Sequence, residues 1–509
     1  MTKHIIVVGA GMGGMAAAIR LQHAGYQVEI YEKNDQPGGK MHQIKKDGYT
    51  FDVGPSIVMT PEIYRDVFTQ VGKDPDDYIP MEKLDPMYNS IFGQEETMRK
   101  YTVSSDLTKI IEMIEAMDSD DAEGFLSYLQ DIYERSNVAK KYFIQRPFRK
   151  PTDMYNPHMI KQAFKLKTFD SAAHSIGKFV QNKDLQHMLS FQTLYIGVSP
   201  NDGPSLYSMI PMLELLYGVW YIKGGMHTMA SGMARLFEEL GGRIFYNQEV
   251  SEIIMANRQA RGIRIGQKEI TADHIICNAD FPYAMKHLFK EDIGRGKYKK
   301  ENIDQLDYSC SCFILYLGMT RKYPEIDMVH NFFMSEDLDN NIDQIFNGQL
   351  IDDPSFYMYM PSKIDATMAP KDKDGFFLLV PVSELTTATY SWDQNTVNYY
   401  RDKVLDKLET FAGFEDVRQE IVSETIYTPM DFESQFNAYR GATFGLRPTL
   451  WQSNHFRPQV KQRKIDHLYF AGSSIHPGAG VPTVLTSGKI AADEVMLDDD
   501  IQFPDQTAV

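Results

Sequence analysis

Three glycines near the start of the chain have the spacing of a phosphate-binding loop. Gly9, Gly11 and Gly14 form the pattern GxGxxG between an apolar run and a segment with helical periodicity. The first glycine permits a tight turn, the second lets a pyrophosphate approach the backbone, and the third lets helix and strand pack closely. Glu32 ends the next predicted strand, where a carboxylate can accept a hydrogen bond from a ribose hydroxyl. The pattern therefore predicts a dinucleotide-binding βαβ unit.

A second glycine-rich segment lies near the other end of the chain. Residues 467–495 contain a predicted strand, then Gly472, then the turn PGAG with Gly480, and then a helix from about Pro482. The positive end of that helix would stabilise negative charge on a reduced isoalloxazine ring. The Gly38–Gly39 pair permits another close backbone approach. A nicotinamide site needs neither feature, so the two ends of the chain together predict FAD as the cofactor.

Composition and charge exclude several classes of protein. A chain of 509 residues with net charge −17 is too long for one core and unsuited to nucleic acid. The three cysteines form neither a disulfide framework nor a CxxC pair, and we predict no metal site. The sequence has no clean apolar run of 18 residues and no signal-peptide pattern. We expect a cytoplasmic protein, in solution or lying on a membrane.

Further segments carry a resemblance that runs nearly end to end. They include DGYTFDVGPS at 47–56, the long segment 191–226, ICNADFP at 276–282 and LDYSCSCFILYLG at 306–318. The chain resembles the bacterial carotenoid desaturases of the phytoene desaturase family, within the FAD-dependent amine oxidase-like group. The resemblance is greatest to members that act on thirty-carbon precursors.

The resemblance implies a function and a set of cofactor contacts. The function is FAD-dependent desaturation of dehydrosqualene (4,4'-diapophytoene) to 4,4'-diaponeurosporene in staphyloxanthin-type carotenoid biosynthesis, with oxygen or a quinone as electron acceptor. Lys40 departs from the family, which usually has arginine after the Gly–Gly pair, so its phosphate contact would lack a bidentate fork. The expected cofactor-binding residues are Gly9, Gly11, Gly14, Glu32, Gly39, Lys40, Gly54, Pro55, Ser56, Val250, Gly472, Gly480 and Val481.

The expected fold class is α/β, with three regions. A Rossmann-like FAD-binding domain of the amine oxidase type is combined with a mixed β-sheet substrate domain and a helical, membrane-facing subdomain. We also expect residues 250–255, 262–265 and 274–277 to form short strands of one meander. The predicted boundaries are 1–75, 223–290 and 455–509 for the discontinuous FAD-binding domain, 76–125 and 291–454 for the substrate-binding domain, and 126–222 for the helical subdomain.

The expected chemistry limits which catalytic groups are needed. A carboxylate with a pKa near 4 cannot deprotonate a hydrocarbon, so hydride loss to flavin must lead or be concerted, leaving an allylic cation. Glu214 is the only charge between residues 206 and 222; it could stabilise that cation or accept the proton, or simply face water. His476, beside the predicted flavin loop, is either catalytic or structural. Candidate tunnel walls, with plain core packing as the alternative, are Met209, Met212, Leu213 and Leu216.

A basic, aromatic-rich segment predicts contact with a membrane. A thirty-carbon polyene gains on the order of 20 kcal/mol on leaving water, so the enzyme must take it from lipid. Near an anionic leaflet each base contributes about 1 kcal/mol, which favours peripheral binding at the inner face of the cell membrane over a merely solvated face. The bases are Lys140, Lys141, Arg146, Arg149, Lys150, Lys161, Lys165 and Lys167, with Tyr142, Phe143, Phe148, Tyr155 and Phe164 between them.

Four other functions stay open at this point. A carotenoid oxidase acting on a terminal methyl, a phytoene desaturase and a flavin amine oxidase would share the cofactor site. An isoprenoid-binding escort protein would share the fold without catalysis, but Glu32 and the intact glycine loop argue against it. An NAD-only dehydrogenase would have no use for the distal PGAG segment.

Overall fold

A five-stranded parallel sheet carries both glycine-rich segments. In the computed structural model, which describes residues 2–93, 97–290, 296–462 and 464–504, its strands are β1 (His4–Val8), β2 (Gln27–Tyr31), β9 (Arg243–Phe245), β13 (His274–Cys277) and β19 (Leu468–Phe470). Their order is β19–β13–β1–β2–β9. The carboxyl ends of parallel strands share one edge, so the turns after β1, β2, β13 and β19 converge there.

Both faces of this sheet are buried, because its strands are apolar along almost their whole length. The helices associated with it are α1 (Met12–His23), α2 (Pro61–Thr69), α10 (His227–Glu239), α11 (Phe281–His287), α12 (Lys300–Ile303) and α16 (Val481–Asp498). The predicted N-terminal βαβ unit is confirmed. Helices α1 and α16 pack very closely, since a Cβ added at Gly488 would lie 2.2 Å from the Gly13 carbonyl oxygen.

The predicted meander is partly wrong. Its strands are β10 (Glu252–Ala256), β11 (Gln259–Ile265) and β12 (Lys268–Thr271). The segment 274–277, which we expected to belong to it, instead forms β13 in the parallel sheet, between β1 and β19. All four residues of β13 are buried, as is typical of a strand covered on both faces.

A seven-stranded mixed sheet forms the second body of the fold. Its strands are β6 (Tyr88–Phe92), β7 (Arg99–Val103), β14 (Ser311–Met319), β15 (His330–Phe333), β16 (Phe356–Tyr359), β17 (Gly375–Val382) and β18 (Ile421–Tyr427). Their order is β18–β14–β17–β16–β15–β6–β7. Only the β15–β6 pairing is parallel. Alternate residues of β14 enter two different cores: Ile314 and Tyr316 on one face, Phe313 and Leu315 on the other. The same part of the chain contains helices α13 (Leu338–Phe346), α14 (Gln394–Glu409) and α15 (Pro429–Phe436).

Short helices fill most of residues 107–217. They are α3 (Leu107–Met117), α4 (Asp121–Ala139), α5 (Pro151–Met154), α6 (Pro157–Lys165), α7 (Ala172–Ile176), α8 (Lys183–Met188) and α9 (Met209–Tyr217), with a π-helical turn at Lys140–Ile144. Two antiparallel strand pairs complete the fold: the hairpin of β3 (Gln43–Lys46) with β4 (Tyr49–Asp52), and the pair of β5 (Met81–Leu84) with the sequence-distant β8 (Val219–Ile222). Within the described ranges no helix combines the length and apolarity needed to cross a membrane.

The strands of each large sheet come from separated parts of the chain. The parallel sheet draws on residues 4–31, 243–277 and 468–470, and the mixed sheet on residues 88–103 and 311–427. The division into three domains stays a prediction. Its boundary at 290/291 adjoins residues 291–295, which lie outside the described residues. Residues 94–96, 463 and 505–509 of the predicted domains also lie outside them.

We predict that Gly488→Ala destabilises the protein by about 1–3 kcal/mol, because the added methyl forces α16 away from α1. Urea denaturation measures the change in the free energy of unfolding. Leu497→Ala, at an exposed position of the same helix, is the control and should be nearly neutral. Equal stability of Gly488→Ala and wild type would show that the helix contact tolerates a side chain.

Candidate active site

One continuous cavity of about 670 Å³ has two chemically different halves. Glycine-rich turns at the carboxyl edge of the parallel sheet line one half. Apolar and aromatic side chains line the other, among them Phe191, Leu194, Phe332 and Leu379. A molecule held by the turns can therefore meet a guest held between apolar walls, without water between them.

The first turn runs from β1 into α1 and lies against Asn278. Gly9 has a φ of 93°, a conformation that suits glycine. A Cβ at Gly11 would lie 2.5 Å from Asn278 Oδ1, so any side chain there would displace Asn278. Gly14 does not line the cavity; its Cβ would lie 2.7 Å from the Gly9 carbonyl oxygen, which makes it a packing position. No side chain caps the N-terminus of α1.

Glu32 lies at the end of β2 and lines the same half of the cavity. Its two carboxylate oxygens accept hydrogen bonds from the backbone N–H groups of Ala10, at 2.7 Å, and Asn34, at 2.8 Å. Burial raises the pKa of this carboxyl, and the two backbone hydrogen bonds oppose the shift. The backbone therefore fixes the carboxylate in place while its oxygens still have lone pairs free for a hydroxyl donor.

The distal segment closes this half from the other side. β19 leads through Gly472 to the turn that ends at Gly480, and α16 begins at Val481 with no side-chain cap. The first N–H groups of a helix have no partner within it and carry partial positive charge. The cavity is thus lined by two uncapped helix N-termini, those of α1 and α16, and neither has an acidic residue in its first turn.

Residues 54–56 are a third segment that lines the cofactor half of the cavity. A Cβ at Gly54 would lie 2.3 Å from the Lys40 carbonyl oxygen, so segment 54–56 packs directly on the Gly–Gly turn. The Lys40 Nζ donates to the Thr443 carbonyl oxygen at 2.7 Å. Desolvation lowers the pKa of Lys40, and the nearby carboxylate of Asp280 opposes that shift. The predicted phosphate contact of Lys40 stays a prediction.

These residues fit FAD. The Oδ1 of Asn278 is buried beside the glycine loop and has no hydrogen-bond partner in the described part of the chain, as expected where a ligand donor belongs. The uncapped helix ends suit a pyrophosphate and an electron-rich ring. Twelve of the thirteen predicted cofactor residues line the cavity, all but Gly14: Gly9, Gly11, Glu32, Gly39, Lys40, Gly54, Pro55, Ser56, Val250, Gly472, Gly480 and Val481.

Sequence reasoning did not single out two polar residues in the same half, Asn278 and Asp280. Both line the cavity just after β13. The segment ICNADFP contains both residues, but their role could be predicted only if residues 274–277 were recognised as a strand of the parallel sheet. Their position after that strand would then have predicted a place at the shared edge.

The apolar half uses one face of α9. Met209, Ile210, Leu213 and Tyr217 line it, which is helical spacing. Of the four predicted wall residues, Met209 and Leu213 are therefore placed at the cavity. Met212 is 1% exposed and packs in the core, whereas Leu216 is 47% exposed, so the wall prediction is wrong for these two.

Glu214 does not face water; that interpretation is wrong. Its side chain is completely buried, because its face of α9 packs against β6 and the turn after α8. The hydroxyl of Tyr88 donates to Glu214 Oε2 at 3.2 Å, and the Gln192 Nε2 donates to it at 3.3 Å. Burial raises the pKa of Glu214 to about 8, opposed by these polar neighbours.

Tyr195 separates Glu214 from the cavity. Tyr195 lines the apolar half, and its hydroxyl is among the polar neighbours that act on the pKa of Glu214. Neither the Tyr195 hydroxyl nor Glu214 Oε1 makes a hydrogen bond of normal geometry to any residue that the structure describes. Glu214 therefore lies one side chain behind the wall, where it can act on the cavity only through Tyr195.

His476 lies outside the cavity, although its neighbours Ile475 and Pro477 line it. Its Nε2 is 3.0 Å from the Arg146 carbonyl oxygen, and its ring meets that of Phe148 edge-on at 5.3 Å. Burial lowers the pKa of His476 to about 4. This placement favours the structural interpretation of His476, and its catalytic role stays a prediction.

The basic segment is only partly available to a partner. Arg149 pairs with Glu494 and Lys167 with Asp131, and Phe143 and Phe148 are core residues rather than surface ones. Helix α6 exposes Lys161 and Lys165. The exposed apolar side chains here are Tyr155 (55%), Ile160 (44%), Phe164 (71%), Phe169 (80%) and Trp451 (70%).

This surface adjoins the cavity. The same part of the molecule contributes four residues to the lining of the cavity: Lys140, Gln145, Leu450 and Asn454. Rings connect Tyr155 through His455 and Phe456 to Trp451, with centroid distances of 5.5, 5.7 and 5.3 Å. We refer to Lys140, Lys141, α6, Tyr155, Phe169 and Trp451 together as the basic–aromatic surface.

Comparison with known proteins places the chain in a family. The model of the family described as flavin containing amine oxidoreductase matches residues 12–496. A 4,4'-diapophytoene desaturase (4,4'-diaponeurosporene-forming) of Staphylococcus haemolyticus is 46% identical over 97% of this chain and 99% of its own. The enzyme of that name from Staphylococcus aureus strain Newman is 44% identical over the same shares.

A crystal structure of an oxidoreductase from Methanosarcina mazei superposes with a TM-score of 0.64 at 16% identity, covering 97% of this chain and 100% of its own, which supports the fold alone. The family match covers the distal glycine-rich turn at the cavity and begins at residue 12, directly after Gly9 and Gly11 of the N-terminal turn. The chain therefore belongs to the flavin-containing amine oxidoreductase family and is an FAD-dependent oxidoreductase.

Proposed function

We propose that this chain desaturates the thirty-carbon carotenoid precursor 4,4'-diapophytoene, forming 4,4'-diaponeurosporene. Relatives with that activity in their names share 44–46% identity over nearly the full length. The observation that carries the proposal is the continuity of the cavity: a site suited to FAD opens into a space walled by apolar side chains. A hydrocarbon has no polar handle, so such walls are what it requires.

The cofactor contacts predicted from the sequence complete this proposal. The backbone of Gly9 and Gly11 and the α1 N-terminus would hold the pyrophosphate, Glu32 the ribose, and Gly480 and Val481 the ring. Bound FAD would supply the two-electron oxidant for removal of a hydride from the guest. Oxygen or a quinone is the expected terminal electron acceptor.

The apolar half has two tasks in the reaction. Its walls exclude water, which would otherwise add to the allylic cation left by hydride loss. Aromatic faces can also stabilise that cation. Phe332 is the centre of the group, with ring centroids 4.7 Å from Phe191 and 4.9 Å from Tyr357.

The remaining step is loss of a proton from the adjacent carbon, which completes the double bond. We propose that the Tyr195 oxygen, which lines the cavity, takes this proton while its own passes to Glu214 once the two groups close to hydrogen-bond distance. With a pKa of about 8 the ionised carboxylate is a stronger base than an ordinary glutamate, and the ionised fraction that can accept the proton grows as pH rises toward 8. Glu214 is thus proposed as a proton acceptor that works through Tyr195, rather than as a group touching the guest.

The basic–aromatic surface is proposed to dock on an anionic membrane at the inner face of the cell membrane. Lysines attract the leaflet, and the exposed apolar side chains insert among the headgroups. The surface adjoins the cavity, so the guest can pass from lipid to the apolar walls without crossing water. That passage is nearly neutral in free energy, because both environments are apolar.

Expression in a bacterium that makes 4,4'-diapophytoene tests the proposed reaction. We expect the extracted pigment to change from colourless to yellow, with 4,4'-diaponeurosporene as the product in chromatography. Aldehydes or acids would identify a terminal-methyl oxidase instead. Unchanged 4,4'-diapophytoene beside soluble, FAD-loaded protein would contradict desaturation, and conversion only of a forty-carbon precursor would indicate a phytoene desaturase.

Glu214→Gln tests the buried carboxyl by its pH dependence. The folded-state pKa of about 8 lies above the unfolded value of 4.5, so the folded protein holds the extra proton between them. Wild-type stability should therefore fall as pH rises through this window, and Glu214→Gln should not show that part of the fall. The difference should reach as much as about 5 kcal/mol above the folded pKa.

The same variant should lose desaturation, whereas wild-type turnover should rise with pH as Glu214 ionises. Tyr195→Phe is the matched control, because it leaves the carboxyl in place: we expect slow turnover and a fall in stability with pH that persists but extends to higher pH, since the Tyr195 hydroxyl no longer opposes the raised pKa. Parallel stability profiles for wild type and Glu214→Gln would mean that the carboxyl titrates normally and would remove it from the mechanism.

Neutralising exposed lysines tests the docking surface. Changing Lys140, Lys141, Lys161 and Lys165 together to glutamine should weaken binding to anionic vesicles by at least about tenfold in a flotation assay. The matched control changes four exposed lysines elsewhere, namely Lys268, Lys299, Lys300 and Lys371. Equal loss of binding in both variants would indicate a general charge effect, and no loss in either would refute the assignment.

A further inference from the structure

Three buried polar side chains form a chain of hydrogen bonds through the wall of the cavity. The Ser56 Oγ lies 2.8 Å from the Tyr357 hydroxyl oxygen, which in turn lies 2.6 Å from the His330 Nδ1. Ser56 and Tyr357 line the cavity, whereas His330 is completely buried behind them. The mechanism proposed above uses none of these groups for proton transfer.

The chain crosses the junction between the two halves of the cavity. Ser56 ends the segment that packs on the Gly–Gly turn, since a Cβ at Gly54 would touch the Lys40 carbonyl oxygen. Tyr357 belongs to β16, and its ring stacks at 4.9 Å on Phe332 of the apolar wall. The two hydroxyls therefore lie where the cofactor half meets the apolar half.

The surroundings of His330 decide which of its ring nitrogens carries the proton. Burial lowers the pKa of His330 to about 3, so the ring is neutral at physiological pH. Its Nε2 has no hydrogen-bond partner among the described residues. A proton on Nε2 would leave a buried N–H donor unpaired, which costs more than leaving a lone pair there. The proton therefore belongs on Nδ1.

That tautomer gives the chain a direction. With a proton on Nδ1, His330 donates to the Tyr357 oxygen. The Tyr357 O–H must then donate onward to the Ser56 oxygen, and the hydrogen of the Ser56 hydroxyl is left to point away from Tyr357. Since Ser56 lines the cavity, the cavity is the place where that hydrogen finds an acceptor.

We propose that His330 is a positioning residue that orients Tyr357 and Ser56, so that the Ser56 hydroxyl donates a hydrogen bond to an acceptor atom of the bound flavin. The inference rests on the proposed flavin site and not on the identity of the hydrocarbon. A donor at the junction favours the electron-rich reduced ring, so the chain should raise the reduction potential of the flavin.

Four variants test this chain through properties of the flavin. His330→Phe keeps a flat ring between its neighbours but removes the donor, and Ser56→Ala removes the last hydroxyl. Both should weaken FAD binding by roughly three- to tenfold, shift the visible flavin spectrum and lower the reduction potential. His330→Asn should restore wild-type values, because its amide N–H can stand near the position of Nδ1–H. The double variant His330→Phe/Ser56→Ala should be no worse than Ser56→Ala alone.

Wild-type spectrum, potential and FAD affinity in His330→Phe would overturn the proposal, and so would additive effects in the double variant. If His330→Phe does not fold, Tyr357→Phe breaks the chain at its centre and should reproduce Ser56→Ala. Ring-nitrogen NMR shifts of the wild-type holoprotein test the tautomer directly: a proton on Nδ1 supports the chain, and one on Nε2 refutes it. None of these readouts requires a carotenoid, so their failure is distinguishable from failure of the proposed desaturation.

Discussion

The shared carboxyl edge of the parallel sheet is the constraint on which the rest of the structure depends. Turns that are more than 400 residues apart in sequence become neighbours there because β1, β13 and β19 lie side by side. Close packing of α1 on α16, through Gly13 and Gly488, then brings two positive helix ends to one cavity. Neither end of the chain could form this site alone.

The second organising feature is the small number of polar groups in the apolar half of the cavity. A buried polar group without a partner costs free energy, so each one present needs an explanation. Glu214 is held by Tyr88 and Gln192 and approaches the cavity only through Tyr195. His330 and Tyr357 form the other set. The two sets have different proposed roles. Glu214 with Tyr195 is proposed to accept a proton, and His330 with Tyr357 is proposed to orient a hydrogen-bond donor toward the cofactor.

Sequence reasoning predicted the features that depend on local pattern. The βαβ start with Glu32 and the distal turn with its helix follow from glycine spacing and strand–helix periodicity, whereas Val250 and Val481 at the cavity were implied by the resemblance to carotenoid desaturases. It failed where tertiary context decides. The segment 274–277 is too short to show whether it pairs in a meander or in the parallel sheet. Glu214 looked like a surface charge because nothing local reveals that Tyr88 and Gln192 cover it, and the link between Ser56 and His330 joins segments 274 residues apart.

Flavin absorbance in the presence of the hydrocarbon tests the central claim most directly. The claim is that glycine turns from both ends of the chain hold one FAD against an apolar guest. FAD-loaded protein is mixed without oxygen with vesicles that carry 4,4'-diapophytoene, and flavin absorbance is followed with pigment analysis. We predict bleaching of the oxidised flavin band in step with formation of a longer conjugated polyene. Purified protein that is folded but takes up no FAD, or bound flavin that stays oxidised beside unchanged 4,4'-diapophytoene, would contradict the account.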